Sequence, residues 1–368
     1  MPEIDPWGDV EITDYEATMK QFGIEPIADL ADRLPDNRLV RRNIVFGHRD
    51  LDTVLDARDE GDPFAMMTGI MPSGVFHFGH LGVVDQVLMF QDMGAELTLC
   101  AADIESYATR EMSLEDAREL VVEEYLLNYV ALGLDLDSTD FYFQSQAGND
   151  HQVRSKLFAK HVTQNEFEAT YGNADPGKMV SALTQYADIL RPQSPEHGGP
   201  KPTVVPVGID QDPHVRLTRD VASRYRDASY LKPASTYHRF MRGLQGGKMS
   251  SSDPKSYIAL TDSIADAKRK IDEAKTGGRV SIEEHREKGA NVEEDMVFEL
   301  LAYHLVEDDD ELRRIRTEYE SGAMLSGELK AIAKDRLELF LRDHQQKREE
   351  ARPKVEQYVA EHADEELA

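Results

Sequence analysis

The sequence predicts an α/β protein: a Rossmann-like parallel sheet with a helical insertion, followed by an all-α C-terminal domain. Three observations carry this prediction. From about residue 61, short apolar runs alternate with segments of helical spacing, the pattern of parallel strands joined by crossover helices. The first of those runs, Phe64 to Met67, leads into a Gly/Pro/Ser stretch and then a helical segment. Beyond about residue 261, apolar residues recur at helical spacing to the end, with Lys, Arg and Glu between them.

In order along the chain, residues 1 to about 60 read as an appended, mainly helical segment, with Pro35-Asp36-Asn37 as a turn. The domain from 61 to 260 offers strands over Phe64 to Gly69, Glu96 to Ala102 and Asp140 to Gln144, and a helix over Gly79 to Met93. Ser113 opens another helix, with Asp116 at capping-box spacing. Between about 147 and 201 the pattern turns helical and less regular. There Met179 to Leu190 is a helix, and Arg191 to Pro200, rich in Pro and Gly, reads as a mobile loop. A further strand ends near Val207-Gly208, and Asp212 before Pro213 has the chemistry to cap the next helix. Residues 261 to 368 form the helical domain, with helices over Glu299 to Glu320 and Leu325 to Ala360.

A chain of 368 residues is long enough for two domains and a large core, and a hydrophobic content of 40% is that of a soluble globular protein. No apolar run approaches the roughly 20 residues of a membrane helix, and the start, Met1-Pro2-Glu3-Ile4-Asp5, is acidic rather than signal-like. A cytoplasmic protein without a membrane partner is expected. The single cysteine, Cys100, excludes a disulfide within the chain. A net charge of -28 opposes sequence-independent binding to nucleic acid at low salt. However, the acidic excess runs along the whole chain, with a mean hydropathy of -0.53 and no low-complexity tract. That pattern fits a halophilic protein, in which salt screens self-repulsion and charge maintains solubility.

The chemistry concentrates where the first strand ends, at Thr68-Gly69-Ile70-Met71-Pro72-Ser73-Gly74-Val75-Phe76-His77-Phe78-Gly79-His80. A strand, a glycine loop and a helix start make an anion site, because unpaired N–H groups and the helix dipole face the loop. His77 and His80 stand at its mouth, where each can donate a hydrogen bond to phosphate oxygens. Their spacing also suits a metal, but zinc requires further ligands and the only cysteine is single, so no fixed metal site is expected. Far downstream lies Gly246-Gly247-Lys248-Met249-Ser250-Ser251-Ser252-Asp253-Pro254. Its lysine supplies a point charge, its serines supply donors, and its glycines allow closure over a polyphosphate. Ligands of Rossmann-like sheets bind beyond the carboxyl ends of the strands. Thr68-Gly69, Ala102-Asp103-Ile104-Glu105 and Val207-Gly208-Ile209-Asp210-Gln211 should therefore converge. Asp210 and Gln211 can hold an ammonium group or a ribose, and Gln185 and Asp188, three apart, share one helix face.

HFGH at 77–80 resembles the HIGH element, and KMSSS at 248–252 the KMSKS element, of class I aminoacyl-tRNA synthetases. The longer Gly208-Ile209-Asp210-Gln211-Asp212-Pro213-His214, followed by Thr218-Arg219-Asp220, resembles the archaeal and eukaryotic branch of the tryptophanyl-tRNA synthetases. So do Phe46 to Asp52, Gly277 to Arg286 and Ser321 to Leu329, and the resemblance runs from Arg38 to past Lys330. It departs at Met67, where eukaryotic relatives carry an indole-contacting tyrosine, and at Cys100, where they carry glutamine. Glu105 matches their pocket glutamate, whereas Asp188 follows the bacterial-like ADIL pattern.

The resemblance implies ATP-dependent ligation of L-tryptophan to tRNA(Trp) through an adenylate, with Mg²⁺ carried in by ATP and a homodimeric assembly. It implies catalytic roles for His77, His80 and Lys248, and ATP binding by Gly69, Gly79, Asp210, Gln211, Lys248, Met249, Ser250 and Ser251. Amino-acid binding falls to Met67, Glu105, Gln185, Asp188 and Gln211. The helical domain would bind the anticodon, with Lys330, Lys334, Arg336, Lys347 and Arg348 on its basic stripes. The helix bearing Gln185 and Asp188 also resembles that of tyrosyl enzymes, so a tyrosyl-tRNA synthetase is an alternative. A nucleotidyltransferase not acting on tRNA, which can share an HxGH element, is a more distant one.

Overall fold

The computed structural model describes residues 14–110, 112–172, 175–247, 249 and 253–365, the last four by backbone alone. The chain divides into two compact units. Unit 1 takes the chain up to Ser73, then Val83–Arg239 and the stretch from Arg352; unit 2 takes Gly74–Gly82 and Phe240–Ala351.

Unit 1 is built on a seven-stranded sheet: β1 (Glu25–Pro26), β2 (Val45–Arg49), β3 (Ala65–Ile70), β4 (Glu96–Ala101), β5 (Thr139–Phe143), β6 (Thr203–Gly208) and β7 (Ala234–His238). The spatial order is β1-β2-β7-β6-β3-β4-β5. The five strands β7-β6-β3-β4-β5 are mutually parallel, with Thr68 beside Leu99 and Gly69 beside Cys100. From β3 the chain winds first towards β4 and β5, then returns to β6 and β7. The boundary between β3 and β6 is therefore a topological switch point, where the crossovers diverge and leave a crevice.

The parallel α/β architecture is as expected from the sequence, and the strand boundaries fall within one residue of those expected. β1 and β2 are additions: they extend the sheet antiparallel through Glu25–His48 and His48–Thr236 neighbours. No polar alternation announces β2, because four of its five residues are buried. The stretch expected to be a mobile loop is instead packed. Arg191 is buried, bonds Asp140 through Nε (2.8 Å) and Nη2 (3.1 Å), and lies 4.0 Å over the Tyr142 ring. Gln193 donates to Leu231 O (3.1 Å) and accepts from Leu231 N (2.7 Å). Asp212 is not a cap. It is fully buried, bonds Arg49 (2.9 Å) and the Tyr237 hydroxyl (2.6 Å) and forms an ion pair with Arg216 (2.9 Å), while Gln211 occupies the N-cap position.

Two buried histidines tie unit 1 to pH. His238 Nδ1 accepts from Gln86 Nε2 (3.2 Å), and His214 Nδ1 shares a hydrogen bond with the Tyr171 hydroxyl (2.8 Å). Burial holds both below the ordinary imidazole range, His214 at about 3 and His238 at about 4. Below pH 6.5 the unfolded chain binds protons that the folded chain refuses, so stability falls as pH drops from 6.5 towards those values. Each histidine contributes about 2 kcal/mol of loss by pH 5. Urea midpoints at pH 7 and pH 5 should show this fall, reduced by about that amount in His238→Gln.

Unit 2 is helical: Ile264–Glu273, Ile282–Lys288, Met296–Leu300, Asp309–Glu320 and the first part of the long helix Ser326–Glu365. Asp295 organises it, accepting from the amides of Gly277 (2.8 Å), Val297 (2.9 Å) and Phe298 (2.8 Å) and from the Tyr319 hydroxyl (2.7 Å). His285 Nε2 donates to Met324 O (2.8 Å) and Arg286 to Gly322 O (2.8 Å), which brings the stretches 277–286 and 321–329 together. On the long helix, Lys334 pairs with Asp272, Arg336 with Glu311 and Lys347 with Asp343, each at 2.7 Å. Lys330 donates to the carbonyls of Asp272 and Ala274, and Arg348 pairs with Glu349 at 3.2 Å.

Candidate active site

The crevice at the switch point is a cavity of about 210 Å³ within unit 1. Met67, Thr68 and Gly69 enter from the end of β3, Cys100 and Ala102 from the end of β4, and Val205 to Gly208 from β6. The helix Pro176–Leu190 contributes Gln185 and Asp188, and Gln211 and His214 come from the start of the helix Asp212–Arg224. Met67, Cys100, Ile189 and Val205 are buried and form an apolar wall with Tyr142.

The polar lining is fixed by hydrogen bonds. Glu105, buried on the helix Asp103–Thr109, accepts from Gln185 Nε2 at 2.6 Å. Its amide donates to Gln144 Oε1 (3.3 Å), which turns the other end of that side chain, Nε2, towards Asp188 Oδ2 at 2.6 Å. Asp188 Oδ1 accepts from the Tyr142 hydroxyl (2.7 Å) and from His151 Nε2 (2.9 Å). A carboxylate wrapped by three donors is held in place.

A second element lies within unit 2. Segment 76–78 pairs with 258–260: Phe78 N donates to Ile258 O (3.2 Å), Leu260 N donates to Phe76 O (3.1 Å), and His77 bridges Ala259. The helix expected from Gly79 begins at Leu81, because Phe78–His80 tightens into a 3₁₀ turn capped by histidine. His77 Nδ1 accepts from Gly79 N (3.1 Å), and His80 Nδ1 accepts from His77 N (3.1 Å). Each Nδ1 is thus an acceptor, and each neutral ring carries its hydrogen on Nε2, which makes it a donor. Desolvation first, then His80 and Lys270, hold His77 down to about 2; desolvation holds the half-buried His80 at about 4. The pair therefore offers two neutral N–H donors rather than cations. Tyr257 stacks on His77 with ring centroids 5.0 Å apart, and Lys270, paired with Asp262, lies 5.0 Å from the Tyr257 ring centre.

Gly79 leaves no room for a side chain. A methyl there would stand 2.9 Å from His77 Cε1 and 3.0 Å from Met249 Sδ, so Met249 lies against the HFGH turn within this unit. Gly79→Ala should push the His77 ring off its cap, which a shift of the His77 imidazole resonances by NMR checks.

The pocket brings together Met67, Gly69, Glu105, Gln185, Asp188 and Gln211. Asp210 sits on the 3₁₀ turn Ile209–Gln211 and does not line the cavity. His77, His80, Gly79 and Met249 lie in unit 2, and Lys248, Ser250 and Ser251 fall outside the described residues. Sequence reasoning missed Tyr142, Gln144 and His151. Gln144 follows a strand end, where it could have been found; the other two carry no local signal.

A family model for class I tRNA synthetases (W and Y) matches residues 59–342. The tryptophan–tRNA ligase of Aeropyrum pernix is 46% identical over 355 residues, covering 95% of each chain. That of Methanocaldococcus jannaschii is 44% identical over 356 residues, covering 95% of this chain and 96% of its own. The crystal structure of tryptophanyl-tRNA synthetase from Aeropyrum pernix superimposes with a TM-score of 0.91 at 45% identity, covering 96% of this chain and 98% of that one. A parallel sheet open at its switch point, a histidine-capped glycine turn and these matches define a class I aminoacyl-tRNA synthetase. Within that class, the chain belongs to the tryptophanyl-tRNA synthetase family.

Proposed function

We propose that this protein ligates L-tryptophan to tRNA(Trp) in two steps. The tryptophan carboxylate attacks the α-phosphate of ATP, giving tryptophanyl-adenylate and pyrophosphate. The terminal adenosine ribose of the tRNA then takes the tryptophanyl group and AMP leaves. Because the substrate supplies its own nucleophile, the protein's work is to position it and to stabilise charge on the phosphate. The observation that carries the reading is the Asp188 carboxylate, presented at an aromatic-sized apolar pocket as an acceptor for the one indole N–H. Glu105, Gln185 and Gln211 serve the polar end of the amino acid, with Met67 as apolar wall. The Nε2–H groups of His77 and His80 and the ammonium of Lys248 serve the phosphates. Gly69, Gly79, Asp210, Met249, Ser250 and Ser251 complete the nucleotide site.

We assign Mg²⁺ to the phosphates of ATP, on which it enters. Among the described residues no group of three or more His, Cys, Asp or Glu is arranged to hold a metal. No described helix is long and apolar enough to cross a membrane. We assign the region from about 261 to anticodon binding, and the working form to a homodimer in a salty cytoplasm; adenylate formation should rise with KCl towards molar levels. Pyrophosphate exchange run in parallel with tryptophan and tyrosine tests the central claim. Exchange with tryptophan alone supports it, and exchange with tyrosine alone overturns it in favour of the tyrosyl alternative.

A further inference from the structure

Asp188 is unusual in what surrounds it. It is 2% exposed and lines the pocket, and among the described residues its hydrogen bonds come from Tyr142, Gln144 and His151. Arg191, which lies over the Tyr142 ring, is bonded to Asp140. His151 is itself 3% exposed, and its Nδ1 meets no hydrogen-bond partner among the described residues. A hydrogen on Nδ1 would be a buried donor with nothing to receive it, whereas one on Nε2 points at Asp188 Oδ1. The ring is thereby a one-way donor.

The three donors divide the carboxylate unequally. Tyr142 and His151 share Oδ1, while Gln144 alone takes Oδ2. The Gln144 amide is oriented by the Glu105 amide, which donates to its Oε1 (3.3 Å). Saturating Oδ1 leaves Oδ2 as the oxygen with capacity for one more donor.

We propose that His151 is a positioning residue for tryptophan selectivity: with Tyr142 it occupies Asp188 Oδ1 and so fixes the carboxylate plane, presenting Oδ2 to the indole N–H. This rests on the reading of Asp188 as the indole acceptor. It explains how a pocket with Met67 and Cys100 on its wall still distinguishes a ring that carries N–H. Without His151 the carboxylate can rotate about its own bond and lose its aim, and a hydrogen bond to a charged group that is lost in this way costs on the order of tenfold or more in affinity.

The experiment uses the full-length enzyme, pyrophosphate exchange, and two amino acids: tryptophan and the analogue in which sulfur replaces the ring nitrogen and no N–H remains. His151→Leu should raise KM for tryptophan about tenfold, move KM for the analogue less than about twofold, and move KM for ATP as little. His151→Gln, whose amide can donate to the same oxygen, should recover most of the loss. Equal weakening of tryptophan and the analogue, or no change in either, overturns the proposal. Asp188→Asn separates the two levels of the argument. If it leaves the preference for tryptophan over the analogue intact, the assignment of Asp188 itself fails. If it abolishes that preference and His151→Leu does not, only the role of His151 fails.

Discussion

Asp188→Asn is expected to lower kcat/KM for tryptophan by about 10² while kcat/KM for the sulfur analogue falls far less. Asparagine keeps the shape but exchanges one acceptor oxygen for an NH₂ group. That group must face either the Gln144 amide or the Tyr142 and His151 donors, so two donors meet whichever way it turns. The substitution removes a charge-assisted bond to the substrate and leaves a buried donor unmatched, each worth roughly 1–3 kcal/mol. A pocket built to receive an N–H rejects a ligand lacking it more strongly than an apolar pocket rejects a wrong size. Pyrophosphate exchange with both amino acids measures the ratio. A variant that keeps the wild-type ratio would remove Asp188 from the indole.

Lys248→Ala is expected to lower adenylate formation by on the order of 10² or more, through kcat rather than through KM for ATP, if the ammonium acts as one preorganised donor in the transition state. The two histidines cannot make up the loss, since burial keeps both neutral and neither adds a unit charge against the leaving pyrophosphate. Single-turnover adenylate formation, monitored by the release of pyrophosphate, checks it. A tenfold rise in KM with kcat unchanged would make Lys248 a ground-state binding group instead.

The parts of this molecule legible in the sequence were those governed by local rules. The glycine loop after Met67, the strand ends at Ala102 and Gly208, and the i, i+3 pair Gln185 and Asp188 all follow from backbone geometry, and the pocket gathers residues from each. What escaped depends on distant residues meeting. Tyr142, Gln144 and His151 reach Asp188 only because β5 and the helix Asn149–Phe158 pack beside the helix Pro176–Leu190. Arg191 to Pro200 misled for a similar reason. Glycine and proline signal a turn, but the order of that turn comes from Asp140, Tyr142 and Leu231, which lie elsewhere in the chain. The start of the helix after HFGH slipped by two residues because histidine is an uncommon cap and its ring, not a serine or aspartate, receives Gly79 N.

The long helix carries its cations already engaged. Under the proposed anticodon-binding role, a tRNA phosphate that approaches Lys334 or Arg336 must displace Asp272 or Glu311, and the carboxylate it frees would take up a cation from solution. That uptake cancels the ion shed by the phosphate. Under that role, association at this face is expected to depend on ionic strength less steeply than counterion release ordinarily dictates.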